Sequence, residues 1–242
     1  MALIEFKREQ SIDEAFRKFG YNSDIDTNTD PEDIWDYGGL YTFGSDSGET
    51  IRISSDNTGD TGSFIVQGLD ENFLNKSVTL NLSGQTPVTL GTFSRVFRGF
   101  NAGSTDLNGN VYSYGTGAVA TGTPQSASMI RSMVKPIYQQ TQMAIYTVPA
   151  NHTAYICDVT CSSPRLANQT IAVEMRLDVR QFGKVFRNQL VFGVNDSLYQ
   201  DVLFAPIKVP AKSDIRLRAQ KVYANNTPVA ASFDLILKRD LT

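Results

Sequence analysis

Residues 171–180, I-A-V-E-M-R-L-D-V-R, constrain the fold more than any other stretch. Ile171, Val173, Met175, Leu177 and Val179 alternate with Ala172, Glu174, Arg176, Asp178 and Arg180. A strand turns successive side chains to opposite faces, so a strict period of two gives one buried face and one wet face. A helix would scatter the same residues around its circumference. Ile215, Leu217 and Ala219 alternate with Arg216, Arg218 and Gln220 in the same way. Strands of this kind belong to antiparallel sheets packed on one side.

The same reading gives strands over residues 50–54, 63–69, 76–82, 87–90, 93–97 and 111–114, with turn formers such as Asn108-Gly109-Asn110 between them. Residues 115–128 are small and read as an inter-domain connection. Seven more strands follow over 143–148, 153–160, 170–182, 185–192, 198–204, 214–222 and 230–237. Helix signals are few. Ser11 and Glu14 form a capping box, Ile12, Ala15, Phe16 and Phe19 fall at helical spacing, and Gly20 is placed to end the helix. A second short helix is expected near 127–133. The expected fold is all-β: an N-terminal arm over 1–44 carrying a short helix, then two antiparallel β-sandwich domains over 45–125 and 126–242, the second jelly-roll-like.

Chemistry is harder to find. Hydrophobic content of 41% with 19% charge excludes a disordered chain. Cys157 and Cys161, four apart in a strand, lie roughly 13 Å from each other and cannot pair within it. The single histidine, His152, sits in a Pro-Ala-Asn-His-Thr turn without a nucleophile elbow. No Walker loop, dinucleotide fingerprint or HExxH occurs, so the chain reads as a non-enzyme without cofactor. Residues 24–32 carry acids at alternate positions like a calcium loop, but Thr29 stands where glycine is needed and Trp35 where a closing Glu is needed. The loop therefore reads as structural. Arg95, Arg98, Arg216, Arg218 and Lys221 read as solvated side chains, and with a pI near 5.2 no nucleic-acid partner is expected. No apolar run approaches the ~20 residues of a membrane span, so no membrane partner is expected. The first residues lack a signal-peptide pattern, so synthesis in a cytoplasm is expected. Residues 1–60 hold 14 acids against 5 bases, and 61–242 hold 11 against 17. This is either an acidic loop region beside an ordinary body or an acidic arm lying on a basic surface, its own or a neighbour's.

One segment stands apart: P-E-D-I-W-D-Y-G-G-L-Y-T-F over 31–43, with the only tryptophan. Pro31, Glu32 and Asp33 suit the start of a helical turn. Trp35, Tyr37, Leu40 and Tyr41 offer large apolar area at low entropy cost. Gly38-Gly39 lets the backbone turn. The segment reads as an anchor joint, and the expected protein-interface residues are Phe16, Phe19, Ile34, Trp35, Tyr37, Leu40 and Tyr41.

Phe19-Gly20-Tyr21-Asn22, then Asp24-Ile25-Asp26-Thr27 and Glu32-Asp33-Ile34-Trp35-Asp36-Tyr37-Gly38-Gly39-Leu40-Tyr41, resemble the start of a group of tailed-bacteriophage virion proteins of marine and cyanobacterial phages, which read close to E-D-I-W-D-x-G-G-x-Y. Gly68-Leu69-Asp70, Thr86-Pro87-Val88 and Ala144-Ile145-Tyr146-Thr147-Val148-Pro149-Ala150 are similar to its later strands. The resemblance implies a structural place in the particle and brings no catalytic residues. The expected role is a capsid decoration or cement protein, a homotrimer that binds the major capsid protein or other virion proteins through its arm. The alternative is a tail, neck or head-fibre adaptor or a host- or carbohydrate-binding module. Either way the expected location is the virion, after synthesis in the host cytoplasm.

Overall fold

The computed structural model describes residues 12–164 and 172–240. The described chain is all-β, its one helical piece a 3-10 turn over Ala127–Met129. The first strand is β1 (Ile12–Ile25), followed by the short β2 (Glu32–Asp33). Nine strands then form an inserted unit: β3 (Glu49–Ser55), β4 (Ser63–Leu69), β5 (Asn75–Asn81), β6 (Val88–Phe93), β7 (Arg95–Asn101), β8 (Val111–Tyr114), β9 (Val119–Ala120), β10 (Thr123–Pro124) and β11 (Ile130–Val134). The rest are β12 (Ile145–Thr147), β13 (His152–Ser162), β14 (Ala172–Arg180), β15 (Arg187–Asn195), β16 (Leu198–Val209), β17 (Asp214–Val222) and β18 (Thr227–Arg239).

β1 and β12 to β18 make the body. They form two antiparallel sheets, ordered β1-β18-β13-β16 and β12-β17-β14-β15. Counted along the chain, the first of these eight pairs with the last, the second with the seventh, the third with the sixth and the fourth with the fifth. The body is thus one long antiparallel ribbon whose four rungs are divided between two sheets. Both sheets feed one apolar core: Ile156, Val159, Phe233 and Leu235 from one, Met175, Leu177, Ile215 and Leu217 from the other. The alternation in residues 172–180 holds, with Val173, Met175, Leu177 and Val179 all buried. The opposite face is drier than expected. Asp178 and Arg216 are buried there, because β2 lays Asp33 against Arg216 and Arg218.

The inserted unit has its own core, including Ile53, Phe64, Val66, Phe93 and Val111, between a β11-β8-β3-β6 sheet and a β5-β4-β7 sheet. Residues 130–134, after the small-residue stretch, return to this unit through β11, and 119–124 within that stretch hold the β9–β10 hairpin.

The expected helix at 11–20 is corrected. Ser11 lies outside the described residues, and residues 12–25 form a strand paired with β18 from Ile12↔Lys238 to Ile25↔Thr227. A two-turn helix gains little by itself, whereas this strand completes a ladder and a core. Gly20 does not cap a helix. A Cβ there would lie 2.3 Å from the Ala144 nitrogen and 2.4 Å from the Ile34 carbonyl oxygen, so glycine admits a close backbone approach. The helix expected at 127–133 shrinks to the 3-10 turn, since Ile130 to Val134 pair with β8. Cys157 and Cys161 are both free thiols of β13.

Candidate functional site

The aromatic segment lies where the inserted unit meets the body, and its acids are spent on shaping it. Glu32 Oε2 accepts hydrogen bonds from Asn22 Nδ2 (2.8 Å) and the Gly39 N–H (2.7 Å). Asp33 Oδ2 accepts from the Tyr41 N–H at 2.8 Å, and Asp33 Oδ1 takes the Arg218 Nε at 2.8 Å. The expected helical turn after Pro31 is instead the two-residue strand β2, because Glu32 and Asp33 pair with Ala219 and Arg218 of β17. Gly38 and Gly39 have φ of 79° and 67°, the left-handed values that reverse the chain. The acids of 24–32 also serve the fold. Asp26 Oδ1 accepts the Asn226 N–H, and Asp30 Oδ2 the Val222 N–H. Among the described residues no group of three or more His, Cys, Asp or Glu is arranged to hold a metal.

Trp35, 2% exposed, donates from Nε1 to the Gly39 carbonyl at 3.1 Å and meets Tyr41 edge-on at 5.0 Å. Its cluster joins the two units: Tyr112, Tyr114, Ile130 and Met133 come from the insert, Ile145 from β12 of the body. The Tyr41 hydroxyl lies 3.1 Å from the Val96 carbonyl and 3.0 Å from that of Arg131, and burial raises its pKa. Of the seven expected interface residues, Ile34, Trp35 and Tyr41 face the interior. Phe16 is half-buried against Tyr146 at 5.1 Å. Phe19, Tyr37 and Leu40 are exposed, Leu40 the most at 56%. Thus the strand period splits Phe16 and Phe19 between two faces, which a helix would have kept together.

Charge reinforces the same junction. Arg95 of β7 and Asp214 of β17 are both buried and meet through two hydrogen bonds, Nε–Oδ1 at 2.8 Å and Nη2–Oδ2 at 3.2 Å. Arg180 and the Thr147 hydroxyl complete the Asp214 carboxylate. Arg95 further donates to Asp46 (2.6 Å) and to the carbonyls of Gly44 and Ser94. Arg131 pairs with Glu49 at 2.6 Å. The expectation of solvated side chains is therefore corrected for Arg95 and Arg216, which are buried because carboxylates meet them inside. Acids of the first sixty residues, Asp33, Asp46 and Glu49, pair with bases later in the same chain.

Asp36 completes the junction differently. Its Oδ2 accepts the Gln142 N–H at 2.9 Å, its Oδ1 is buried without a partner, and burial pushes its pKa up to about 7.

No family model and no curated protein matches the chain. Among solved structures, one titled "Structure of infectious bursal disease virus Gt strain" is 7% identical, covering 96% of this chain and 78% of that one, with a TM-score of 0.20. A second, "Crystal structure of infectious bursal disease virus VP2 subviral particle", is 8% identical over 96% of this chain and 77% of that one, again with a TM-score of 0.20. Likeness at this level carries no argument about the present chain.

Proposed function

We propose that this chain is a non-enzymatic structural protein of a tailed-bacteriophage particle, a capsid decoration or cement protein whose body is a jelly-roll sandwich. The observation that carries the reading is the place of the E-D-I-W-D-Y-G-G-L-Y segment, the most specific part of the resemblance. It forms the bonded joint between an inserted β unit and an eight-strand rolled ribbon, the strand pairing of two Greek keys. In this reading Ile34, Trp35 and Tyr41 set the joint, while Phe19, Tyr37 and Leu40 present apolar surface beside it to the head shell or to sister copies in a trimer. Many equivalent copies turn such modest contacts into firm attachment. The test is to add the purified chain to particles that lack it and locate its density by electron microscopy. Density spread over the head lattice is the expected result. A single ring at the neck or tail would replace this reading with the adaptor or fibre one. No binding, with Leu40→Asp and Phe19→Asp variants indistinguishable from the parent, would remove both.

A further inference from the structure

We propose that the cleft between β1 and the inserted unit is a binding site for a carboxylate flanked by an apolar group, with Lys18 as its charge partner. The cleft encloses about 350 Å3, a volume suited to a small ligand or one or two side chains. It goes beyond the structural role and touches none of Ile34, Trp35 and Tyr41, while Phe19 stands on its rim.

One wall is aromatic. Phe16, Phe97 and Tyr146 line it, and both phenylalanines pack on Tyr146, Phe16 at 5.1 Å and Phe97 at 4.9 Å. The other wall is basic. Lys18, Lys76, Arg98 and Arg17 face Glu14, the one lining carboxylate among the described residues. Two of these cations are already engaged: Arg17 with Asp234, and Lys76 with the Thr92 carbonyl at 2.8 Å and the Phe93 ring. Arg98 lies over the Phe100 ring and Lys18 Nζ over the Phe97 ring at 5.7 Å. Lys18 differs in its burial. It is 9% exposed, its Nζ donates to the Phe97 carbonyl at 2.6 Å, and no carboxylate among the described residues comes within 4.0 Å of it. A buried ammonium without a counter-charge is costly, and an ammonium has three donors where the Phe97 carbonyl takes one. Burial, with Arg98 adding to it, lowers the Lys18 pKa to about 7, so the free protein relieves the cost by shedding the proton. A ligand carboxylate would occupy the remaining donors and restore the charge. Its apolar part would lie on the half-buried Phe16 and Phe97, with Tyr146 packed behind them. A single negative charge matches the single buried cation, and Glu14 opposes a second.

Such a carboxylate has two sources, a small organic acid or an acidic side chain of a neighbouring chain next to an aromatic one. The experiment is calorimetry on the full chain at pH 8, with indole-3-acetate against its neutral amide and the blocked peptide Ac-Phe-Glu-Phe-NH2 against its Gln counterpart. The acid of at least one pair should bind at least ~10-fold more tightly than its neutral twin. Binding should take up a proton, seen as a dependence of the heat on buffer ionisation enthalpy, and the affinity should fall as the pH rises above about 7. Lys18→Met should erase the acid–neutral difference. If that variant does not fold, the proton uptake of the parent chain decides alone. Preference for the free acid identifies a small ligand, and preference for the peptide identifies a neighbour's side chain. Equal binding of acid and neutral twin, absence of proton uptake, or no binding into the millimolar range would overturn the site.

Discussion

Replacing Arg95 by Met removes the guanidinium that ties the inserted unit to the body and keeps much of its apolar stem. Five hydrogen bonds disappear: two to Asp214 and one each to Asp46, Gly44 and Ser94. Breaking a buried ion pair from one side costs about 3–5 kcal/mol, because the remaining charge stays desolvated. Here Asp214 keeps Arg180 and the Thr147 hydroxyl, so the expected loss lies at the low end, about 3 kcal/mol. Arg180→Met offers the internal comparison. It addresses the same carboxylate, but its side chain is 30% exposed, so water compensates and the loss should be about 1 kcal/mol. Urea unfolding of the parent, both single variants, Asp214→Asn and the Arg95→Met/Asp214→Asn double variant gives the coupling directly. The double variant should be far less damaged than the sum of its singles. If Arg95→Met costs no more than Arg180→Met, or the coupling is near zero, the junction is not held by this pair.

Gly20→Ala tests the close backbone approach at β1: packing against the Ala144 and Ile34 backbones predicts a loss of about 1–3 kcal/mol in urea unfolding, and an equally or more stable variant refutes the β1 packing. Trp35→Ala should cost about 3–5 kcal/mol and make residues 26–48 more protease-sensitive while amide exchange in β13 and β18 stays slow; an unchanged melting temperature would show that the joint is not packed as described. The Asp36 pKa is raised, so between the unfolded value near 3.8 and the folded value of about 7 the native state holds the extra proton, and this group's contribution to stability falls as pH rises through that window. Asp36→Asn should flatten that slope, reading as a relative gain on the order of a few kcal/mol at pH 8 by thermal unfolding, and parallel pH profiles for the two proteins would contradict it.

Many strand positions in this chain follow from local periodicity, though β1, β2 and β11 do not. Residues 63–69 can be read directly, because an alternating face buries apolar side chains wherever the strand is placed. The turn glycines of the aromatic segment are likewise readable from Gly38-Gly39, since the left-handed conformation is a local requirement. Residues 12–20 satisfy both periods, with Phe16 and Phe19 at helical spacing and Phe16, Lys18 and Gly20 at strand spacing. Only β18, more than two hundred residues away, selects the strand. The direction in which Trp35 and Tyr41 point is equally non-local: large aromatic area serves an outside partner or the chain's own interior, and the insert's Tyr112 and Tyr114 supplied the interior. Arg95 and Asp214 lie 119 positions apart, and neither has a neighbour in sequence that announces the pair. Local spacing carries the backbone's preference, whereas burial and charge pairing depend on which distant strand the ladder brings alongside, and that is a property of the assembled sheets.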